Sequence, residues 1–246
     1  TKQNLKTALI DLDPQASAFD WCLCREDNEA LNGDKISAAM ATAGELEGLL
    51  KEAENNGAQF VIVDTAPHSD SAATIAAQSV DFVVIPCRPA RFDIKAVDST
   101  VRILRLTKTP FSVVINAAPT RGKLADEARE VLSGQEIDVM EAVLQQRVAY
   151  SHAVIDGRSV HEYEPDGKAT AEIDNLFDCL KKKIFHLVSP GKRREKRALT
   201  PALSQREREK KKGISQRERE KKKGIFQRER EKRTLIQGEE VKRIRS

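Results

Sequence analysis

No apolar run in the 246 residues approaches the roughly 20 needed to cross a bilayer as a helix. The opening Thr1-Lys2-Gln3-Asn4 has no apolar signal-peptide core behind it. Cysteine is scarce: there are four, with Cys22 and Cys24 two apart and Cys87 and Cys179 isolated, which makes no disulfide framework. Cys22-x-Cys24 also lacks the second pair and the histidines of a zinc site, and the four histidines show no metal-ligand spacing. The thiols are read as buried or idle groups of a cytoplasmic protein, with no membrane partner. Ser17 precedes no suitable His/Asp pair, which leaves a nucleophilic hydrolase without support. The first residue is Thr rather than Met and so is not an ordinary translation start.

What is present is charge, unevenly placed. The whole chain has 42 Lys+Arg and 38 Asp+Glu, a net of +4. Residues 1–190 hold 20 basic and 29 acidic side chains, whereas residues 191–246 hold 22 and 9, so an acidic body carries a basic tail. The tail repeats: the eleven residues from Ser204 to Ile214 recur identically from Ser215 to Ile225, and a decaying copy opens at Phe226. An eleven-residue period suits a right-handed coiled coil. Each copy, however, has almost no apolar surface and a mid-repeat glycine (Gly213, Gly224) that costs a helix about 1 kcal/mol. A solvated, disordered tail is expected over 190–246. It reads either as repetitive DNA translated by accident or as an arm that neutralises nucleic-acid phosphates.

The body, 1–189, alternates strands and helices. Thr7 to Leu12 is a short apolar strand stopped by Asp13-Pro14, and Glu45 to Asn56 is a helix with Leu46, Leu49, Leu50 and Ala53 on one face. Phe60–Asp64, Asp81–Pro86 and Phe111–Asn116 read as further strands. Between them lie a small-residue helix through Ala72, Ile75 and Ala76, and a helix capped by Asp93; Lys123 to Leu132 is a last amphipathic helix. Strands apolar almost throughout and separated by helices imply the α/β class, a mostly parallel sheet covered on both faces. Ligands of such sheets sit beyond the carboxyl ends of the strands. Those ends here are Asp11-Leu-Asp13-Pro-Gln15, Asp64-Thr-Ala-Pro67, Pro86-Cys-Arg-Pro89 and Asn116-Ala-Ala-Pro119. One strand-end Asp is ordinarily a cap or turn former. Several on one rim suit a hydrated Mg²⁺ with phosphates.

Ala8-Leu-Ile-Asp-Leu-Asp-Pro-Gln-Ala-Ser17 and Phe60-Val-Ile-Val-Asp-Thr-Ala-Pro67 resemble the ParA/MinD-type partition ATPases, of the deviant P-loop class. Val84-Ile-Pro86 and Val114-Ile-Asn116 follow at suitable distances, and Arg147–Val160 with Ala171–Leu176 looks like the family's C-terminal region. The resemblance spans residues 7–185. It implies that Asp13 orients or activates the attacking water, Asp11 supports the Mg²⁺ shell, and Asp64 is the Walker B carboxylate holding Mg²⁺ through water. It places Thr65 in a switch segment, Asn116 near adenine, and Arg147, Arg158 and Lys168 where relatives bind nonspecific DNA. The implied cofactors are Mg²⁺ and ATP. The implied partners are a second copy in a homodimer, nonspecific DNA and a protein that stimulates hydrolysis.

The departure is a missing motif. No glycine-rich phosphate loop with its Lys and Thr precedes Asp11, and Gly122-Lys123 and Gly191-Lys192 lack its spacing. An N-terminally truncated chain, in which the first strand and loop are absent and ATP is neither bound tightly nor hydrolysed, is the resulting expectation. In the family that strand lies beside the Walker B strand. Its loss would leave backbone groups unpaired at roughly 1–3 kcal/mol each and favour instability or aggregation. Three readings stand: a partition ATPase domain working in DNA segregation or positioning, a catalytically dead DNA- or protein-interaction module, and an amidotransferase-type biosynthetic relative. Trp21 and Phe19 are expected to pack in the core, His68 to sit in a loop, and His152 and His161 to lie at the surface. Arg88 and Arg91 flank Pro89 on the rim, either at the site or solvated.

Overall fold

The computed structural model describes residues 5–31, 36–66 and 70–188, all within the unit Thr1–Arg193. Thr1–Asn4, His68 and the tail from 190 onward, to which expectations attach above, lie outside the described residues. In chain order the elements are β1 (Thr7–Asp11), α1 (Ser17–Glu26), β2 (Ser37–Met40), α2 (Leu46–Asn55), β3 (Phe60–Asp64) and α3 (Asp70–Ser79). There follow β4 (Val83–Cys87), α4 (Arg91–Thr107), β5 (Phe111–Ala118), α5 (Leu124–Gly134), β6 (Val139–Gln145), α6 (Val148–Val154), α7 (Val160–Tyr163) and α8 (Lys168–Val188). All strand pairs are parallel, and helices lie against the strands, which is the α/β architecture the apolar strands dictate.

Strand periodicity sets the layers. Along β5, Val113 and Ile115 face a core built with Val97, Val101, Leu104 and Leu132 of α4 and α5. Val114 points the other way, into a cluster with Met140, Ala142 and Cys179, the last from α8. Around β1, Ile10 and Leu12 join Leu46 of α2 and Ala76 of α3. Asp93 corrects an expectation: the residue preceding α4 is Ala90, and Asp93 sits in the first turn, where a carboxylate faces the positive end of the helix dipole.

The strands form two sheets rather than one, ordered β2-β1-β3 and β4-β5-β6. Backbone parity shows what this leaves open. The Phe60 amide bonds Lys6 O, and Asp64 O accepts from Leu12 N, so even-numbered residues of β3 face β1 and Val61 and Val63 direct N–H and C=O to the other edge. In β4 the Val83 amide bonds Pro110 O, so Val84 and Pro86 face away from β5, and Pro86 has no N–H to offer. Among the described residues no strand pairs with either edge. Side chains there are exposed as well: Ile62 is 47% accessible and Val84 36%, against 0% for Val113.

Candidate functional site

The carboxyl end of β1 turns sharply. Asp11 is 1% exposed, and its carboxylate is spent on this turn: Oδ1 accepts the Asp13 amide at 2.9 Å and Oδ2 the Phe19 amide at 3.0 Å. The second bond satisfies an orphan donor in the first turn of α1. Asp13 Oδ1 in turn accepts from Gln15 N at 2.8 Å, and Ala16 enters the helix through a left-handed conformation at φ 56°. Asp11 therefore builds the loop, and Asp13, half-buried, is the carboxylate the loop presents.

Register brings the second strand end alongside, with Asp11 paired to Asp64 across β1 and β3. Burial raises the Asp64 pKa first, then repulsion from Asp11; the Thr65 amide, which donates to Asp64 Oδ1 at 3.0 Å, pulls it back, and Asp13 adds to the rise. Asp64 thus feels both carboxylates of the neighbouring strand end. Asn116, at the rim of the other sheet, bends its amide oxygen back to Ala117 N at 2.9 Å, next to a left-handed Ala117. Arg88, Arg91 and Phe92 are exposed at the carboxyl end of β4; Phe92 is 83% accessible.

Among the described residues no group of three or more His, Cys, Asp or Glu is placed to grip a metal directly. Among the described residues, Asp11, Asp13 and Asp64 offer carboxylate oxygens, which fits a hard cation that keeps its waters, as Mg²⁺ does. The sequence shows no glycine-rich loop with its lysine for phosphate oxygens.

The basic candidates Arg147, Arg158 and Lys168 lie between β6 and the start of α8. Arg147, the residue before α6, gives Nε and Nη2 to Glu172 Oε1 at 2.8 and 2.6 Å, and Nη2 to Gln145 Oε1 at 2.6 Å; Glu172 also takes the Tyr150 hydroxyl at 3.0 Å. Burial and that carboxylate raise the Tyr150 pKa. Arg158 is paired with Asp156 through Nε at 2.9 Å and lies over the Tyr163 ring. Lys168 is exposed at the start of α8. His152 is exposed beside Tyr163, and His161 Nε2 lies 2.8 Å from Asp174. The four cysteines are free thiols, Cys22, Cys87 and Cys179 buried, and burial pushes the Cys87 pKa up to about 11.

A joint between α1 and the segment around Gly157 went unnoticed in the sequence. Arg25, 6% exposed, forks onto Glu162 with 2.7 and 2.6 Å bonds and reaches Gly157 O at 3.2 Å. Trp21 Nε1 donates to Arg158 O at 3.3 Å, and Asn28 Nδ2 to Asp156 O at 2.9 Å. Ser159-x-x-Glu162 is a capping box, a signal readable in the sequence; nothing there marked Arg25 as its partner.

No family model matches the chain. It is 31% identical over 172 residues, 69% of its length and 76% of the relative's, to maintenance of carboxysome distribution protein A of Gloeobacter kilaueensis. With the protein of that name from Halothiobacillus neapolitanus it shares 24% over 184 residues. Among solved structures it is similar to the MinD cell division protein of Aquifex aeolicus (TM-score 0.58, 14% identity, 74% of this chain and 86% of that one). It is also similar to a Cyanothece McdA–ATP complex (TM-score 0.56, 14% identity, 72% and 86%) and to Pyrococcus horikoshii MinD with Mg-ADP (TM-score 0.56, 13%, 74% and 86%).

Proposed function

The chain belongs to the ParA/MinD-type family of partition and positioning ATPases, and from that premise we propose that it is the carboxylate-bearing body of an ATPase that dimerises on DNA in a Mg-ATP-dependent way and positions cargo. The relatives named for carboxysome distribution favour a protein assembly as cargo. The observation that carries the reading is the pairing of Asp11 with Asp64 at adjacent parallel strand ends, with Asp13 held beside them by the Asp11 carboxylate.

Each residue has a task in this reading. Asp11 fixes the turn and the start of α1, and supports the cation's water shell through that turn. Asp13 orients the attacking water and accepts its proton. A cation beside Asp64 would offset the burial and the neighbouring carboxylates that raise its pKa. A bound Mg²⁺ would supply charge neutralisation for phosphate oxygens, held through water by Asp64. Thr65 belongs to the segment that senses the cation, and Asn116 lies where an adenine edge would be read. Arg158 and Lys168 are the better-placed DNA contacts. Arg147 is engaged by Glu172 and reaches phosphate only by sharing that carboxylate.

Phosphate contacts are not encoded in these 246 residues, and on that ground they alone bind Mg-ATP poorly. The same observation favours the second reading, a module that keeps DNA or protein contacts without turnover. DNA binding measured by anisotropy separates body from tail. Binding that survives deletion after Pro190 and falls in R158A/K168A belongs to the body; binding lost on deletion belongs to the tail and contradicts those roles.

A further inference from the structure

We propose that Arg25 and Glu162 are positioning residues for the turn that presents Asp13, so that the segment 156–162 is the distant support of the carboxylate rim. The inference rests on the functional reading only in taking Asp13 as the residue that matters. The link itself is a matter of geometry.

Helix α1 buries only Cys22 and Arg25 fully, with Phe19, Trp21 and Leu23 half-buried. It is held at its two ends. At the N-terminus the Phe19 amide is bonded by Asp11 Oδ2, the same carboxylate whose Oδ1 holds the Asp13 amide. In the last turn Arg25 is clamped by Glu162 and Gly157 O, with the Trp21 and Asn28 bonds on either side. Glu162 cannot drift, because Oε2 also accepts the Ser159 amide at 2.7 Å and hydroxyl at 2.8 Å. Gly157 closes the joint: at φ +75°, an added Cβ would lie 2.2 Å from Arg25 N, so backbone touches backbone. A ten-residue helix spans about 15 Å and is stiff on that length. If the far clamp opens, α1 loses the hold on its last turn, and the turn carrying Asp13, tied to the same helix through the Asp11 carboxylate, loses its fixed geometry.

Amide hydrogen exchange in the full chain tests this, with E162Q, which keeps the shape but weakens the charged fork, and R25K, which keeps the charge but loses the fork. The expected result is exchange at least tenfold faster at the Phe19 and Asp13 amides in E162Q and a smaller rise in R25K. Val113 and Ile115, in the core of the other sheet, are expected unchanged. Faster exchange confined to 157–163, with Phe19 and Asp13 within about twofold of the parent, would show a merely local brace and overturn the proposal. Should E162Q also release Val113 and Ile115, R25K decides by the same criterion. A parallel Mg²⁺ titration of the parent separates the two claims: if no amide from Asp11 to Asp13 or at Asp64 responds, the functional reading fails while the link stands.

Discussion

Replacing Gly157 by alanine should damage the protein far more than a surface loop substitution does. The new Cβ would meet Arg25 N at 2.2 Å, Arg25 Cα at 2.4 Å and Cys24 C at 2.7 Å, all backbone atoms that cannot rotate aside. Restoring ordinary contact requires α1 and the 154–158 segment to part by about 1.2 Å. That opening breaks three hydrogen bonds now at 2.9–3.3 Å, from Asn28, Arg25 and Trp21. Each is worth about 0.5–1.5 kcal/mol net, and the left-handed backbone costs an L-residue about 1–2 kcal/mol more. The total, roughly 3–6 kcal/mol, rivals the about 5–15 kcal/mol that holds a domain together. Gly57 supplies the control. Its φ is +76°, but the nearest atom to an added Cβ is Lys6 Nζ at 4.0 Å, so alanine there pays the backbone term alone, about 1–2 kcal/mol. Urea unfolding followed by far-ultraviolet circular dichroism compares the two. Gly157→Asn, which tolerates the backbone angle yet carries the Cβ, should stay close to Gly157→Ala. A Gly157→Ala midpoint no lower than that of Gly57→Ala would refute the close approach.

Acid should weaken the same joint. Burial pushes the Glu162 pKa up, but bonds from the Arg25 guanidinium and from Ser159 more than cancel this and hold it at about 2. Because the folded value lies below the ordinary glutamate range, this contribution is full above about pH 4.5 and fades as pH falls towards 2. E162Q should therefore flatten the stability profile across that window, and parallel profiles would contradict the pairing. The open strand edges predict a parity in amide exchange: Val61, Val63 and Val84 fast, Phe60, Ile62 and Ile85 protected. Equal protection along β3 would show that another strand covers it. Glu172→Gln should release Arg147 and lower thermal stability, since it removes one charge of a largely buried pair, at about 3–5 kcal/mol. An unchanged melting temperature would mean the pair holds nothing.

The sequence made legible whatever depends on local pattern. Phe60–Asp64 and Phe111–Asn116 are mostly apolar and rich in β-branched residues, and both are strands; Leu46, Leu49 and Leu50 share the helical face that meets β1 and β3. Ser37–Met40 was passed over because Ser-Ala-Ala-Met carries little strand propensity and is ordered by pairing with β1. Val139–Gln145 was also missed; Glu141 interrupts it, and its partner β5 supplies the decision. At the site, the carboxylates were visible as strand-end residues. Their division of labour was not: that Asp11 is consumed by two backbone amides depends on how the chain turns back from Asp13 to Phe19. The Arg25–Glu162 fork joins residues 137 apart in sequence, a distance at which no spacing rule operates.

The Asp11–Asp13–Asp64 rim is proposed as the cation end of a positioning ATPase, in a sequence that shows no glycine-rich phosphate loop. Calorimetric titration of the chain with Mg-ATP tests it most directly. The account predicts no saturable binding in the micromolar range. Saturable micromolar binding, lost in D64N, would contradict it by showing that these residues hold the nucleotide without a glycine-rich loop.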